Sequence, residues 1–147
     1  MTLDSRTFSY DTALEWEGGR SCRVTAGDRP PLVVTPPGEF PGGGHGQWSP
    51  EHLYLASLQS CTMLSFLAHC AHNGVEVVGY ASRATGEIAR RDDDRRYAFS
   101  RVLVEVDARV AGGHSELASS LTPKAERDCF ITASTSAEVI VEWGIRE

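Results

Sequence analysis

The 147-residue chain contains no run of about 18 apolar residues, so no segment has the length and hydrophobicity of a membrane-spanning helix. Basic excess is also missing. Fourteen Lys and Arg against twenty Asp and Glu leave a net charge of −6, which argues against nucleic acid or an anionic membrane as a partner and suits small neutral ligands better. The opening Met1-Thr2-Leu3-Asp4-Ser5-Arg6 lacks the basic and apolar regions of an export signal, so the expected location is cytoplasmic. Cysteine is scarce, at four residues, and no two form a C-x-x-C pair. That excludes a disulfide scaffold in a reducing compartment and makes reactivity the interest of any special thiol. Gly42-Gly43-Gly44 lacks the Lys-Ser/Thr of a P-loop, and no serine sits in a G-x-S-x-G elbow, which removes the phosphate-loop and hydrolase readings.

What is present fits one domain over residues 1–147. From Phe8 the chain alternates, with Phe8, Tyr10, Thr12, Leu14 and Trp16 opposite Ser9, Asp11, Ala13, Glu15 and Glu17, the pattern of a half-buried strand. Gly18-Gly19 and Gly27-Asp28 supply turns, so Arg20 to Ala26 and Leu32 to Thr35 complete a meander. Residues 36–47 are too rich in Pro and Gly for helix or central strand. Ser49-Pro50-Glu51 then reads as N-cap, N1 proline and first-turn carboxylate of a long, largely buried helix ending near Asn73-Gly74. Two strands follow, Val75 to Arg90 and Tyr97 to Val110, joined by the charged tip Arg91 to Arg95. A short helix over Ser115 to Leu121, a second begun by Thr122-Pro123 and carrying Cys129, and a strand at Val139 to Trp143 complete the chain. The order βββ-α-ββ-αα-β predicts an α+β fold, with helices on one face of antiparallel sheet.

Cys61 stands in the middle of the apolar helix, so that helix's own N-terminus gives it no thiolate stabilisation. With an ordinary thiol pKa of about 8.5, only about 3% would be thiolate at pH 7, and reactivity needs a nearby cation. The plain structural alternative is a small core residue, the commoner role of a cysteine on an apolar helix. Cys70, nine residues on, is about 180° round and about 13.5 Å along the same helix and cannot bridge to Cys61. Cys22 and Cys129 both remain open as partners. His69, Cys70 and His72, with His45 or His52 beside them, offer a thin metal-ligand set lacking a second clear pair; a polar helix end is the simpler reading, and no metal or other cofactor is expected.

In sequence order, Gly-Gly-Arg after the first strand, a Gly-rich loop, Ser49-Pro50-Glu51, a cysteine ten residues beyond that glutamate and a late second cysteine resemble the osmotically induced protein C and organic hydroperoxide resistance (OsmC/Ohr) family of thiol peroxidases. The resemblance implies Cys61 as peroxidatic cysteine, Cys129 as resolving cysteine, Arg20 as the cation beside the thiolate, and Glu51 as the carboxylate holding that arginine. Arg23 is the reserve cation, on the opposite strand face from Arg20. Cys129 is followed by Phe130, where many peroxidatic members carry proline, which looks more like a less characterised branch of the family. Taken singly, Glu51 also suits a helix N-terminus and Arg20 a solvated turn.

The implied reaction reduces an organic hydroperoxide to an alcohol through a Cys61 sulfenic acid and a Cys61–Cys129 disulfide, with a small or protein-bound dithiol as reductant. Phe40, Trp48, Tyr54 and Phe130 are candidate pocket walls. A non-catalytic module that binds a hydrophobic ligand or senses oxidants is the alternative, and a purely structural dimer a third. If Glu51 and Cys61 share one arginine-centred site, their separation of about 15 Å along a continuous helix predicts a site built from two chains, hence an intertwined homodimer. A helix break near residues 52–56 is the competing solution.

Overall fold

The structure, a computed structural model, describes residues 6–44 and 46–147 and packs as two compact units divided after Leu53. His45 and the leader reading of Met1 to Ser5 lie outside the described residues.

In the first unit, β1 (Ala13–Trp16), β2 (Cys22–Thr25) and β3 (Leu32–Val34) form an antiparallel meander in that order. Gly18 and Gly19, at φ 95° and 54°, make the first turn, a conformation that side chains disfavour. The first strand is shorter than its alternation predicts and is exposed along its whole length. Residues 6–12 form no strand, and Leu14 and Trp16 are exposed like Phe8 and Tyr10 before them. Alternation specifies a two-faced strand, but both faces of β1 are exposed. Residues 36–44, 46 and 47 form turns and loop, as their composition predicts, and the chain returns to the sheet where the Thr35 amide donates to the Trp48 carbonyl at 2.9 Å.

Helix α1 (Pro50–His72) runs without interruption across the division, so no break occurs at residues 52–56. Buried Ser49 caps it, its Oγ accepting from the His52 amide at 3.2 Å while also meeting His52 Nδ1 at 2.6 Å. Gly74, at φ 73°, ends it.

The second unit carries the core. β4 (Val77–Arg90) and β5 (Tyr97–Val110) form a long antiparallel hairpin, and β6 (Glu138–Arg146) lies parallel to β5 on its other side. The sheet is therefore mixed. The expectation of antiparallel pairing throughout is corrected here: the helices inserted between β5 and β6 return the chain to the end from which β5 started, as a parallel crossover does. Val102, Val104, Val106, Ala108 and Val110 point inward as their alternation predicts. They pack with Leu58, Phe66 and Cys70 of α1. Burying a side chain such as Leu58 or Phe66 is worth roughly 1.5–3 kcal/mol. The buried stripe of α1 is narrower than its composition suggests, being Leu58, Thr62, Phe66 and Cys70, whereas Leu64 is 60% exposed.

Three short helices fill the crossover: α2 (Ser115–Ser120), α3 (Thr122–Arg127) and α4 (Phe130–Ala133). Cys129 is therefore not inside the helix begun by Thr122-Pro123. That helix stops at Arg127, and Cys129, extended at φ −75° and ψ 110°, is the N-cap of the next.

Candidate functional site

Cys61 and Cys129 come together in the second unit, both as free thiols, with their side chains close enough to bias each other's ionisation. α1 delivers Cys61 to the wall of a cavity of about 600 Å³, lined also by Ser57, Leu64, Ala68, Phe130 and Ile131. Cys129 lies fully buried behind it. Two ties hold the backbone here: Ser65 Oγ donates to the Ala125 carbonyl at 2.8 Å, and Gln59 Nε2 donates to the Ser82 carbonyl at 3.1 Å.

The two sulfurs have unlike surroundings. Burial pushes the Cys61 thiol up; a hydrogen bond from the Ile131 amide opposes this, Cys129 adds to the rise, and the Phe130 amide acts weakly against it. Burial acts in the same direction on Cys129 but is outweighed. The Thr132 hydroxyl donates to its sulfur at 3.2 Å and the Thr132 amide at 3.5 Å, so Cys129 falls below the ordinary thiol range. Of the pair, the buried sulfur is the more readily charged within this unit.

His69 lines the same cavity with Asp128, Nε2 lying 2.8 Å from Oδ2. Arg127 grips the same carboxylate at 2.8 and 3.0 Å, and these contacts hold Asp128 down at about 2. The thin His and Cys set noted in the sequence is dispersed. His69 pairs with Asp128, Cys70 is in the core, and no group of three His, Cys, Asp or Glu side chains suited to a metal occurs among the described residues.

Arg20 and Glu51 come together in the first unit, lining a cavity of about 440 Å³ with Cys22, Thr35, Pro37 and Phe40. Arg20 Nη1 donates to the Pro41 carbonyl at 3.1 Å, and buried Glu51 Oε2 has no partner among the described residues. Arg23, the reserve cation, is bound to Glu17 at 3.4 Å. Of the four aromatic candidates, Phe130 shares the cavity of Cys61 and Phe40 that of Arg20. Trp48 lines a third hollow with His52, and Tyr54 is framework, stacked on Phe99 at 4.4 Å and hydrogen-bonded to Thr135. Sequence reasoning missed Thr132. The signal was a Thr three residues after Cys129, the spacing at which an N-cap meets the third helical amide.

A family model described as OsmC-like protein matches residues 42–144. The chain belongs to the OsmC-like family. An OsmC-like protein of unknown function from Vibrio cholerae has a similar structure, with a TM-score of 0.84 at 18% identity over 95% of this chain and 99% of that one. An organic hydroperoxide resistance protein from Legionella pneumophila aligns with a TM-score of 0.71 at 18% identity, covering 97% of this chain and all (100%) of the other. One from Bacillus subtilis gives 0.65 at 18% identity over 94% of this chain and 98% of that one. At these identities the likeness shows the OsmC fold, an α+β arrangement with one long helix. No curated protein matches the sequence. No helix among the described residues is long and apolar enough to cross a membrane.

Proposed function

We propose that this OsmC-like protein is a thiol-dependent peroxidase that reduces organic hydroperoxides to alcohols. The observation that carries the proposal is the juxtaposition of two free thiols, Cys61 on a cavity of mainly apolar lining and Cys129 enclosed behind it. The Cys61 thiolate attacks the distal peroxide oxygen, breaking the O–O bond; the alkoxide leaves and takes a proton to become the alcohol. Cys61 is now a sulfenic acid. Cys129 displaces its hydroxyl as water to form the disulfide, and a dithiol reductant restores both thiols.

Within its own unit Cys61 is pushed toward the thiol, so this chemistry requires a cation. Arg20 is that cation in the proposal, held by Glu51 and contributed with it by a partner subunit of a homodimer. Three observations support this. Glu51 Oε2 is buried without a partner among the described residues, Leu14 and Trp16 of β1 are exposed, and Leu64 of α1 is exposed beside Cys61. The raised Cys61 thiol equally favours a second reading, in which the cavity holds a hydrophobic ligand, or senses oxidants, without turnover.

Consumption of cumene hydroperoxide with dihydrolipoamide separates the two. Peroxidase action predicts turnover abolished in Cys61→Ser, about one turnover per site in Cys129→Ser, and loss of activity on dilution below the dimer's dissociation constant. Equal steady-state rates for wild type and Cys61→Ser would overturn it.

A further inference from the structure

The sulfur of Cys129 is wholly enclosed, yet it accepts two hydrogen bonds from one residue, Thr132, and both donors favour the anion. The other neighbouring hydroxyl is not free to help. A hydroxyl has one proton, and Thr62 Oγ1, 3.9 Å from Cys129 Sγ, gives its own to the Leu58 carbonyl at 2.7 Å. Thr132 Oγ1 points its proton at sulfur instead. Among the described residues of this unit, the neighbouring charged side chains offer no substitute. On α1, Cys61 faces Cys129 and His69 is engaged with Asp128, while Arg127 is closed on the same carboxylate and Glu126 accepts from Trp143 Nε1 at 3.2 Å. Thr132 is thus the principal local means of making this buried thiol nucleophilic.

We infer that Thr132 is a positioning residue for the resolving step: its hydroxyl and amide hold the Cys129 sulfur as an anion facing Cys61, so that disulfide formation follows oxidation before a second peroxide reaches the sulfenic acid. This rests on the peroxidase reading and adds a residue to it. In the step, Cys129 thiolate attacks the Cys61 sulfur, the S–O bond breaks, and hydroxide leaves with a proton from solvent as water. Cys129 is oxidised to the disulfide level and the Cys61 sulfur is reduced from sulfenic acid to the same level. The benefit concerns Cys61, because a sulfenic acid that waits is carried to sulfinic acid by excess peroxide, a step that thiols do not reverse.

Thr132→Val removes the hydroxyl donor and keeps the shape and the amide; Thr132→Ser keeps the donor. Wild type and both variants are mixed with excess cumene hydroperoxide, quenched in acid at intervals, and assayed by mass for disulfide and sulfinic acid across pH 5–10. For Thr132→Val the pH midpoint of disulfide formation rises by about one unit. Its rate at pH 7 falls only about threefold, because a more basic thiolate is also the better nucleophile. Above the new midpoint the same relation makes the variant about threefold faster than wild type, so the two profiles cross. Thr132→Ser follows wild type, and sulfinic acid on Cys61 accumulates at lower peroxide in Thr132→Val alone. A structural defect would lower the rate at every pH without a crossing.

A peroxide-free measurement accompanies these. In a Cys61→Ser background, the 240 nm thiolate absorbance attributable to Cys129, by difference from Cys61→Ser/Cys129→Ser, shifts upward in pH when Thr132→Val is added. Coincident titrations, or profiles lowered in parallel, overturn the role of Thr132. Failure of wild-type Cys61 to oxidise at all, with the titration shift present, overturns the peroxidase reading and leaves the tuning of Cys129 standing.

Discussion

A Cβ built on Gly42 would lie 2.9 Å from Cδ of Arg20, and 3.0 Å from its Cβ. The arginine stem therefore runs against bare glycine backbone while its head donates to the Pro41 carbonyl. The glycine loop and the proposed cation of the site are one piece of packing.

Gly42→Ala is consequently expected to behave like an arginine mutation. The residue sits at φ 79°, where a side chain is strained. The clash involves the arginine Cβ, which no rotamer change moves away. Cys61 alkylation near neutral pH should slow in Gly42→Ala and in Arg20→Ala by a similar factor, roughly threefold for a one-unit rise in thiol pKa, the tenfold loss of thiolate being partly offset by its greater nucleophilicity. Iodoacetamide labelling followed by peptide mapping reads it. A wild-type rate in Arg20→Ala would detach that residue from Cys61.

Gly86 on β4 has a different neighbour problem. A Cβ there would meet Phe99 Cε1 at 2.6 Å and Leu55 Cδ2 at 2.9 Å, beneath the stacked Tyr54 and Phe99 rings. Gly86→Ala should destabilise the protein by about 1–3 kcal/mol through overpacking, read as a lower urea midpoint at unchanged slope.

Tyr80 supplies an alkaline prediction. Its hydroxyl is buried with no partner among the described residues, and burial pushes its pKa up to about 12. An unfolded phenol ionises near pH 10, so the stability linked to this group is complete below pH 10 and is lost as pH rises toward 12. Tyr80→Phe should decline less steeply over that interval. At pH 8 it should be equal to or more stable than wild type, by roughly 1 kcal/mol, because an unsatisfied hydroxyl has been removed. Urea titrations at stepped pH measure both effects.

Asp128 gives the acidic counterpart. Arg127 first, and His69 second, hold its carboxyl down at about 2, so its contribution to stability is present above the unfolded value near 4 and disappears as pH falls through about 2. Its carboxyl carbon resonance should show a midpoint near 2 in wild type, rising toward the ordinary carboxylate range in Arg127→Ala.

Much of the fold was legible because its signals are local. Period-two valines in β5 and the Ser49-Pro50-Glu51 start of α1 each state their structure within a few residues, and both appear where expected. The direction of β6 was not legible, since a lone apolar strand such as Val139-Ile140-Val141 reads identically in either orientation and only its crossover decides. The helix boundary at Cys129 was obscured because sulfur is an uncommon N-cap and the Thr122-Pro123 start gives no sign of where the helix stops. Spacing also understated how much α1 leaves uncovered: Leu64 belongs to an apolar pattern, and a pattern does not say which chain covers it.

The parallel docking of β6 on β5 carries a consequence for how the molecule is made. The β4–β5 hairpin needs only a short closure and can zip once Val110 has been synthesised. Pairing Arg101 with Glu138 must wait for the whole crossover, in which Cys129 lies. At translation speeds of roughly 5–20 residues per second, the thiols of the nascent chain therefore pass an interval of seconds before the last strand fixes their neighbours. An oxidant met in that interval finds Cys22, Cys61, Cys70 and Cys129 in a flexible chain, free to pair in combinations that the finished molecule forbids. Parallel topology thus ties correct thiol pairing to the completion of folding and makes the newly made protein more vulnerable to peroxide than the mature one.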